Sequence, residues 1–586
     1  MSADLQALVR SGRLRRADAA LGEWIARAFS DSHPDVALAA AMAARAVADG
    51  HSTLRLDAAQ AWLAHLDGRG DVPVLPDATT WQASLHASDA VRQASNAAED
   101  EALPPRPLVL DEQGRVYLTR YFGYEQRLAC DLVARAQADH LKLVTGGPGT
   151  GKTHGVVRTL AALAGEAHAG SRTLRIALAA PTGKAAARLA ESVRAQLPGL
   201  AVPEAVAAMI PREASTLHRL LGLSPTRAHT KFHRNAPLPF DVVVVDEVSM
   251  VDLPLMAKLA DAVRADATLI LLGDPDQLSA VEAGDVLGAL VDAAREPPLS
   301  HCHAHLTQSR RFAEQGALAR LANAIAAGDA ESALAACGGD AEVQHFTDAR
   351  STPLLEQAVD AYRALQAAPD ADAALRTANR FRVLTALRHG PSGNLALDRA
   401  IEQRLKRHAG VRADAPWWRG RLLMVTVNRA ELGLFNGDVG VVWPDDRGEP
   451  KVWFEVADDA LRAISPAALP PHEGAFALTV HKAQGSEFDR VALVTGPDSA
   501  VLSRELLYTG VTRARSAIAL YSTPDVLRAG IARRTRRALE CRGAVPISCP
   551  CTPSTLPSPT GSNPRSPHRR KRSARHGRRF APAATC

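Results

Sequence analysis

The octapeptide Gly146-Gly147-Pro148-Gly149-Thr150-Gly151-Lys152-Thr153 fits the pattern G-x-x-x-x-G-K-[ST]. The apolar run Leu141–Thr145 precedes it, and a helical stretch from Lys152 to Ala164 follows. Strand, glycine-rich loop and helix in that order commit the surrounding chain to a parallel sheet with helices on its faces. Glycine is needed in the loop because backbone N–H groups must wrap phosphate oxygens with no Cβ atom in the way. The helix N-terminus adds a dipole that favours negative charge. Lys152 is therefore expected to reach the β- and γ-phosphates of ATP, and the Thr153 hydroxyl to bind Mg²⁺.

The rest of the chain agrees with such a layer. The runs Leu141–Thr145, Arg175–Ala179, Val242–Val245 and Leu269–Leu272 are apolar nearly throughout, as parallel strands covered on both faces should be. They alternate with helical stretches from about residue 114 onward, the pattern of a doubly wound α/β domain. A second series, Phe381–Ala386, Arg490–Thr495 and Ala517–Tyr521, predicts a second domain of this kind. After its first strand come Leu422–Val427, Val439–Trp443, Lys451–Val456 and Ala475–Val480, with turns at Asn436-Gly437-Asp438 and Asp445-Asp446-Arg447-Gly448. That cluster reads as a small inserted β-domain.

With 586 residues there is room for several domains, since one core rarely grows beyond ~250–300 residues. We expect a helical domain over 1–110, a first α/β domain over 114–300 with a short insertion at 223–240, a second over 301–420 and 476–540, and the β-domain over 421–475. In the first region Leu21–Ala48 has helical spacing, and Trp24, Trp62 and Trp81 are expected in a small core. Leu103-Pro104-Pro105-Arg106-Pro107 reads as a linker.

The run Val242–Val245 ends in Asp246-Glu247. Carboxylates at the carboxyl end of a buried strand lie beside the nucleotide in open α/β sheets. Asp246 is the candidate second holder of Mg²⁺, and Glu247 the candidate base that orients or deprotonates the attacking water. These parts predict a nucleotide hydrolase and leave open what the hydrolysis drives.

Further motifs narrow the reading. Gly273-Asp274-Pro275-Asp276-Gln277-Leu278 looks like helicase motif III. Thr479-Val480-His481-Lys482-Ala483-Gln484-Gly485-Ser486-Glu487-Phe488 looks like motif V, and Leu507-Tyr508-Thr509-Gly510-Val511-Thr512-Arg513-Ala514-Arg515 like motif VI. Their order and spacing resemble the superfamily 1 helicases. Asp246-Glu247-Val248-Ser249-Met250, Ala180-Pro181-Thr182-Gly183-Lys184-Ala185-Ala186, Ser215-Thr216-Leu217-His218-Arg219-Leu220-Leu221-Gly222 and Leu434-Phe435-Asn436-Gly437-Asp438-Val439-Gly440 are similar to the RecD family, whose members serve in RecBCD exodeoxyribonuclease V. The resemblance covers roughly residues 114–535. It implies two RecA-like P-loop NTPase domains, a small inserted SH3-like β-domain and an N-terminal helical domain.

The resemblance also implies roles. Gln277 would sense the γ-phosphate, and Arg311 (in Gln308-Ser309-Arg310-Arg311-Phe312) and Arg513 would reach it from the second domain. Arg310 is a neighbouring competitor for the first of these places. Gln126 would read adenine, or be a solvent-facing helix glutamine. Gly485 and Glu487 would contact the nucleotide, Glu487 at the ribose. Thr182, Lys184, Thr216, His218, Thr479, His481 and Ser486 would hold a DNA single strand by its phosphates, and His218 reads equally as a packed helix histidine. The basic stretch Leu223–Phe240 would be a duplex-splitting hairpin or a solvated loop. The implied activity is an ATP-dependent 5′→3′ DNA helicase in double-strand break repair by recombination. RecB-like and RecC-like chains would be partners, the nuclease site would lie on the RecB-like chain, and residues 1–110 would meet the RecC-like one. The alternatives are a stand-alone RecD-like helicase and an inactive assembly subunit.

Bulk properties add exclusions. No apolar run approaches the ~18 residues of a membrane span, and the N-terminus has no secretory pattern, so a cytoplasmic protein is expected. The net charge of +6 is no sign of DNA binding, because residues 541–586 hold nine Lys and Arg and no acidic residue. The remaining 60 basic residues face 63 acidic ones. That tail is rich in proline and serine and is expected to be disordered, with a passive end favoured over a nucleic-acid-binding arm. Only Cys130, Cys302 and Cys337 precede residue 541, which suits a reduced compartment. Cys549-Pro550-Cys551 lacks the second pair a zinc site needs.

Overall fold

The computed structural model describes residues 3–29, 33–66, 68, 70–94, 106–223, 230–307, 316–338, 341–347, 352–456, 460–499 and 501–535. Arg310, Arg311, residues 224–229 of the basic stretch and the expected tail lie outside the described residues.

The N-terminal region is built on helix Pro34–Ala48, buried continuously from Val36 to Ala43. A helix apolar on all sides must be surrounded, and Arg16–Ala28, Ala78–His86 and a small sheet enclose it. The sheet combines β1 (Leu54–Arg55), β2 (Val91–Gln93), β3 (Leu108–Leu110) and β4 (Arg115–Leu118) in the order β1-β4-β3-β2. The expectation of helices alone missed it. Trp81 is fully buried and donates its indole N–H to the Asp35 carbonyl at 2.9 Å. Trp62 packs at the edge of the core. Trp24 corrects the expectation: it is 51% exposed on the outer face of its helix.

The first large sheet holds β5 (Leu141–Gly146), β6 (Ile176–Ala180), β7 (Ser215–Thr216), β8 (Val242–Val245), β9 (Thr268–Gly273) and β10 (His303–Leu306), all parallel in the order β10-β5-β9-β8-β6-β7. Alternate residues serve opposite faces. Val243, Val245, Leu269 and Leu271 pack under helices Thr119–Gln137 and Leu253–Ala262. Val242, Val244, Ile270 and Leu272 pack under Lys152–Ala169 and Gly183–Gln196. Each such side chain contributes ~1.5–3 kcal/mol by leaving water, which is why these runs contain no polar residue.

The second parallel sheet has the order β11-β20-β19-β12-β18 from β11 (Val343–Phe346), β12 (Phe381–Thr385), β18 (Ala477–Thr479), β19 (Phe488–Val494) and β20 (Ala514–Tyr521). Between β12 and β18 the chain makes an antiparallel sheet of β13 (Leu422–Val425), β14 (Val439–Pro444), β15 (Pro450–Val456), β16 (Ala460–Ile464) and β17 (His472–Gly474), ordered β16-β15-β14-β13-β17. Its own core contains Leu423, Val425, Leu434, Val442, Val452, Phe454 and Ile464. The run Ala475–Val480, expected in this cluster, instead supplies β18 to the parallel sheet. Asp398, on helix Asn394–His408, holds that return by accepting from Phe476 N at 2.8 Å. Burial pushes its carboxyl up to about 7.

Candidate nucleotide and DNA site

The carboxyl ends of β5, β8 and β9 lie side by side, with β9 between the other two. That places the glycine-rich loop, Asp246-Glu247 and Asp274 along one edge. Gly149 and Gly151 adopt φ +77° and +82°, a left-handed conformation that favours glycine. Gly151 opens helix Lys152–Ala169. Thr150 Oγ1 donates to Gly147 O at 2.8 Å, and Lys152 Nζ bonds Gly146 O and, at 3.0 Å, Gly147 O. The ammonium thus lies folded over the loop's own backbone, where a phosphate oxygen would compete with those carbonyls.

Asp246 accepts from Glu247 N at 2.8 Å. Its carboxyl is pushed up to about 6, first by burial and then by the neighbouring Glu247 carboxylate, against Lys152 and the Thr153 hydroxyl. Glu247 turns the chain at φ +55°, a conformation that costs a non-glycine residue roughly 1–2 kcal/mol. Asp274 is buried and also raised to about 6, by burial against Lys152 and Gln277. Gln277 Nε2 donates to Asp274 Oδ2 at 2.9 Å, so the expected γ-phosphate sensor is braced by that carboxylate. Asp274 had no assigned role in the sequence, although an acid directly after Leu269–Leu272 and Gly273 carries the same signal as Asp246.

The second domain closes over this edge. Tyr508 Oη donates to Asp274 Oδ2 at 3.3 Å, and a Cβ on Gly147 would stand only 2.9 Å from that hydroxyl. Burial and Asp274 push the phenol well above its ordinary value, so it remains a donor. Leu278 N donates to Thr509 Oγ1 at 2.9 Å, and Gln484 Nε2 to Leu278 O at 3.2 Å. Arg513 is buried, with Nε on Thr509 O at 3.2 Å and Nη1 on Ser486 O at 3.3 Å. Tyr508 and Thr509 lie within motif VI and Gln484 within motif V, and nothing in those motifs marks them as partners across the cleft. Pairing across a cleft leaves no mark on a linear pattern.

Three expected phosphate holders share one local geometry. Thr182 Oγ1 accepts from Ala185 N at 3.2 Å, Thr216 Oγ1 from Arg219 N at 3.2 Å, and Thr479 Oγ1 from Lys482 N at 3.4 Å. They follow or end β6, β7 and β18 and cap the turns beyond. A capping hydroxyl accepts one bond and retains its own O–H as a donor. Gly183 packs against the Phe435 ring of the inserted domain, where a Cβ would meet ring carbon at 3.0 Å. Lys184 is lowered to about 8, by burial and then by Arg188 and Arg382.

His218 is exposed, and His481 is partly buried in the turn His481–Ala483. Ser486 is buried. Gly485, at φ +71°, brings motif V to Thr182, with 3.9 Å from its Cβ position to Thr182 Oγ1. The Glu487 carboxylate is engaged by Arg188 at 3.4 Å and Arg515 at 3.3 Å. Gln126 is partly exposed on helix Thr119–Gln137, beside Tyr124. The Arg120 and Arg127 guanidinium carbons lie 5.4 and 5.6 Å from the Tyr124 ring centre. Among the described residues no three His, Cys, Asp or Glu side chains gather as a metal cluster.

The phosphate-loop residues and the groups that close over them come from different parallel sheets, the construction of a two-domain P-loop NTPase of the helicase class. Family models agree region by region. Residues 126–283 match an AAA domain, 474–521 a UvrD-like helicase C-terminal domain, and 10–117 the N-terminal domain of RecBCD enzyme subunit RecD. The RecBCD enzyme subunit RecD of Mycobacterium tuberculosis is 39% identical over 509 residues, spanning 80% of this chain and 85% of the relative. The Mycolicibacterium smegmatis protein of the same name is 41% identical, over 72% of this chain and 74% of its own. The ATP-dependent RecD2 DNA helicase of Deinococcus radiodurans is 31% identical, over 75% of this chain and 59% of its own. The chain belongs to the RecD family.

Proposed function

We propose that this chain is the ATP-driven DNA helicase subunit of a RecBCD-type helicase–nuclease acting in double-strand break repair by recombination. The observation that carries the reading is the pairing of motif III with motif VI across the cleft, Tyr508 with Asp274 and Leu278 with Thr509. Docking of the second lobe beside the γ-phosphate sensor links the nucleotide to the spacing of the two sheets. A translocase needs that docking, because the state of the nucleotide must change the spacing of two DNA grips.

The proposed roles are these. Gly146 to Thr153 wrap the phosphates, and Lys152 leaves its carbonyl partners for them. Thr153 and Asp246 fit Mg²⁺, since one hydroxyl and one carboxylate suit an ion that takes its other ligands from phosphate and water. Mg²⁺-ATP supplies the bond that is cleaved. Glu247 is the proposed holder of the attacking water, beside the ion-holding Asp246. Gln277, braced by Asp274, reports the γ-phosphate. Arg513 is proposed to reach it from the second lobe, where such a group contributes ~10³–10⁵ in rate. Arg311 is the proposed second arginine, Gln126 the adenine contact, and Gly485 and Glu487 the nucleotide contacts of motif V.

Single-stranded DNA is proposed to lie across Thr182, Lys184, Thr216, His218, Thr479, His481 and Ser486, held through hydroxyls and cations that read no bases. The direction implied by the family resemblance is 5′→3′. RecB-like and RecC-like chains are the proposed partners, with 1–110 as the RecC contact. The antiparallel insert, over 421–475, is proposed as SH3-like, and residues 114–300 as one motor domain and 301–420 with 476–540 as the other. Among the described residues no helix is long and apolar enough to cross a membrane. A cytoplasmic setting is proposed.

The test is single-strand-stimulated ATPase of the full chain. Lys152→Gln should abolish it, and persistence of that activity would show that the site is wrongly assigned. Processive unwinding by the chain without partners would favour the stand-alone helicase.

A further inference from the structure

The Glu487 carboxylate receives one guanidinium from each motor domain. Arg188 Nη1 lies 3.4 Å from Oε1, and Arg515 Nε lies 3.3 Å from Oε2. Arg515 and Glu487 belong to the same domain, so only the Arg188 link crosses the cleft. Arg188 sits on helix Gly183–Gln196, four residues after Lys184, and side chains at that spacing share a helix face. The helix is capped by Thr182, and Gly485 approaches that cap.

Separation of the lobes has unequal effects on the two partners. Glu487 keeps Arg515 and is not left as an uncompensated charge. Arg188 loses its carboxylate while standing beside Lys184. At 3.4 Å the link is longer than a tight charge-assisted bond, and the Arg188 side chain, 32% exposed, meets water as it leaves, so the contact can break and re-form in every cycle. A released guanidinium presents a planar fork that matches phosphate oxygens and is indifferent to base identity.

We propose that Arg188 is a switching grip: Glu487 holds it when the lobes are together, and a DNA phosphate beside Lys184 takes it when they part. The inference rests on the proposed DNA path over the Thr182 helix. It makes Arg188 a DNA-binding residue for one half of the cycle and Glu487 the positioning residue that withdraws it in the other. The first lobe then gains a phosphate contact on opening, which couples grip strength to nucleotide state.

The experiment measures oligothymidylate affinity of the full chain over a salt series, without nucleotide and with a non-hydrolysable ATP analogue. Each neutralised phosphate on a single strand adds about 0.7 to the slope of log K against log salt, roughly 2.6-fold in affinity between 50 and 200 mM. Arg188→Gln should lower the nucleotide-free slope by about 0.7 and leave the analogue-bound slope unchanged. Arg188→Lys should retain the wild-type nucleotide-free slope. Glu487→Gln, at an analogue concentration that saturates the variant, should raise the analogue-bound slope by about 0.7. Equal changes in both states, or none, overturn the proposal. Lys184→Gln identifies which idea has failed. If it lowers the slope while Arg188→Gln does not, only the switch is wrong. If neither changes it, the DNA path itself is elsewhere.

Discussion

Thr509→Val is the sharpest probe of the docked cleft. Thr509 is fully buried, and its Oγ1 accepts the Leu278 N–H at 2.9 Å from the other lobe. Valine keeps the shape and removes the acceptor. The Leu278 N–H is then buried without that partner whenever the lobes close, and satisfied by water whenever they open. An orphaned buried donor costs about 1–3 kcal/mol. The cost falls on the closed state, so kcat/KM for ATP with saturating single-stranded DNA should drop about 5- to 150-fold. The bond spans the two lobes and pairs no strands of either sheet, so the thermal midpoint should move by only a degree or two, roughly a few tenths of a kcal/mol. Thr509→Ser, which keeps the oxygen, should recover most of the rate. Steady-state ATPase and thermal denaturation on the same preparations decide the matter. A Thr509→Val protein with kcat/KM within twofold of wild type would refute the reasoning. So would a loss matched by a large fall in midpoint, because the bond would then hold the fold rather than the closed state.

Gly147→Ala should impair closure, since its Cβ would stand 2.9 Å from the Tyr508 hydroxyl. Adding Tyr508→Phe should restore part of the lost ATPase; a double variant no better than the single one would show that the clash is elsewhere. Asp274 is raised to about 6 from an ordinary value of 3.8, so ATPase activity should fall as pH drops below 6 and its carboxylate gains a proton. Stability should run the other way. A carboxyl raised in the folded state favours folding fully below its ordinary value and loses that contribution as pH rises through its folded value. Asp398, raised to about 7, makes this separable: Asp398→Asn should raise the thermal midpoint at pH 8 but not at pH 4, and equal shifts at both would contradict it. Thr182→Val should cost about 1 kcal/mol through the lost cap, read by thermal denaturation, and should also raise the DNA concentration for half-maximal ATPase. Unchanged DNA activation would place the strand away from this hydroxyl.

Short-range physics made much of the molecule legible in the linear chain. A glycine-rich loop between an apolar run and a helix has few alternative uses. Val242–Val245 and Leu269–Leu272, apolar at every position, can only be strands covered on both sides. The edge strands were missed for the same reason. His303-Ala304-His305-Leu306 lies at the sheet margin, is only partly buried and carries two histidines, so it has no apolar signature. Ala460–Ile464, largely exposed at the rim of the inserted sheet, was equally silent. Ala475–Val480 was visible as a strand but not as a member of its sheet, because register with Phe381–Thr385 is a relation between distant segments. Trp24 was read as core on residue type, whereas the rotation of its helix against Pro34–Ala48 turned it outward.

At the site, identity and spacing single out the phosphate cradle, Asp246, Glu247, Gln277 and Arg513 as candidates. Local composition encodes which residues can hold a phosphate or a proton. It does not encode who faces whom across a cleft between segments more than two hundred positions apart. The partners Tyr508 and Asp274, Thr509 and Leu278, and Arg188 and Glu487 became pairs only when two independently packed sheets were set edge to edge. Hydrogen bonds and ion pairs act over a few ångströms, and folding alone brings such distant positions that close.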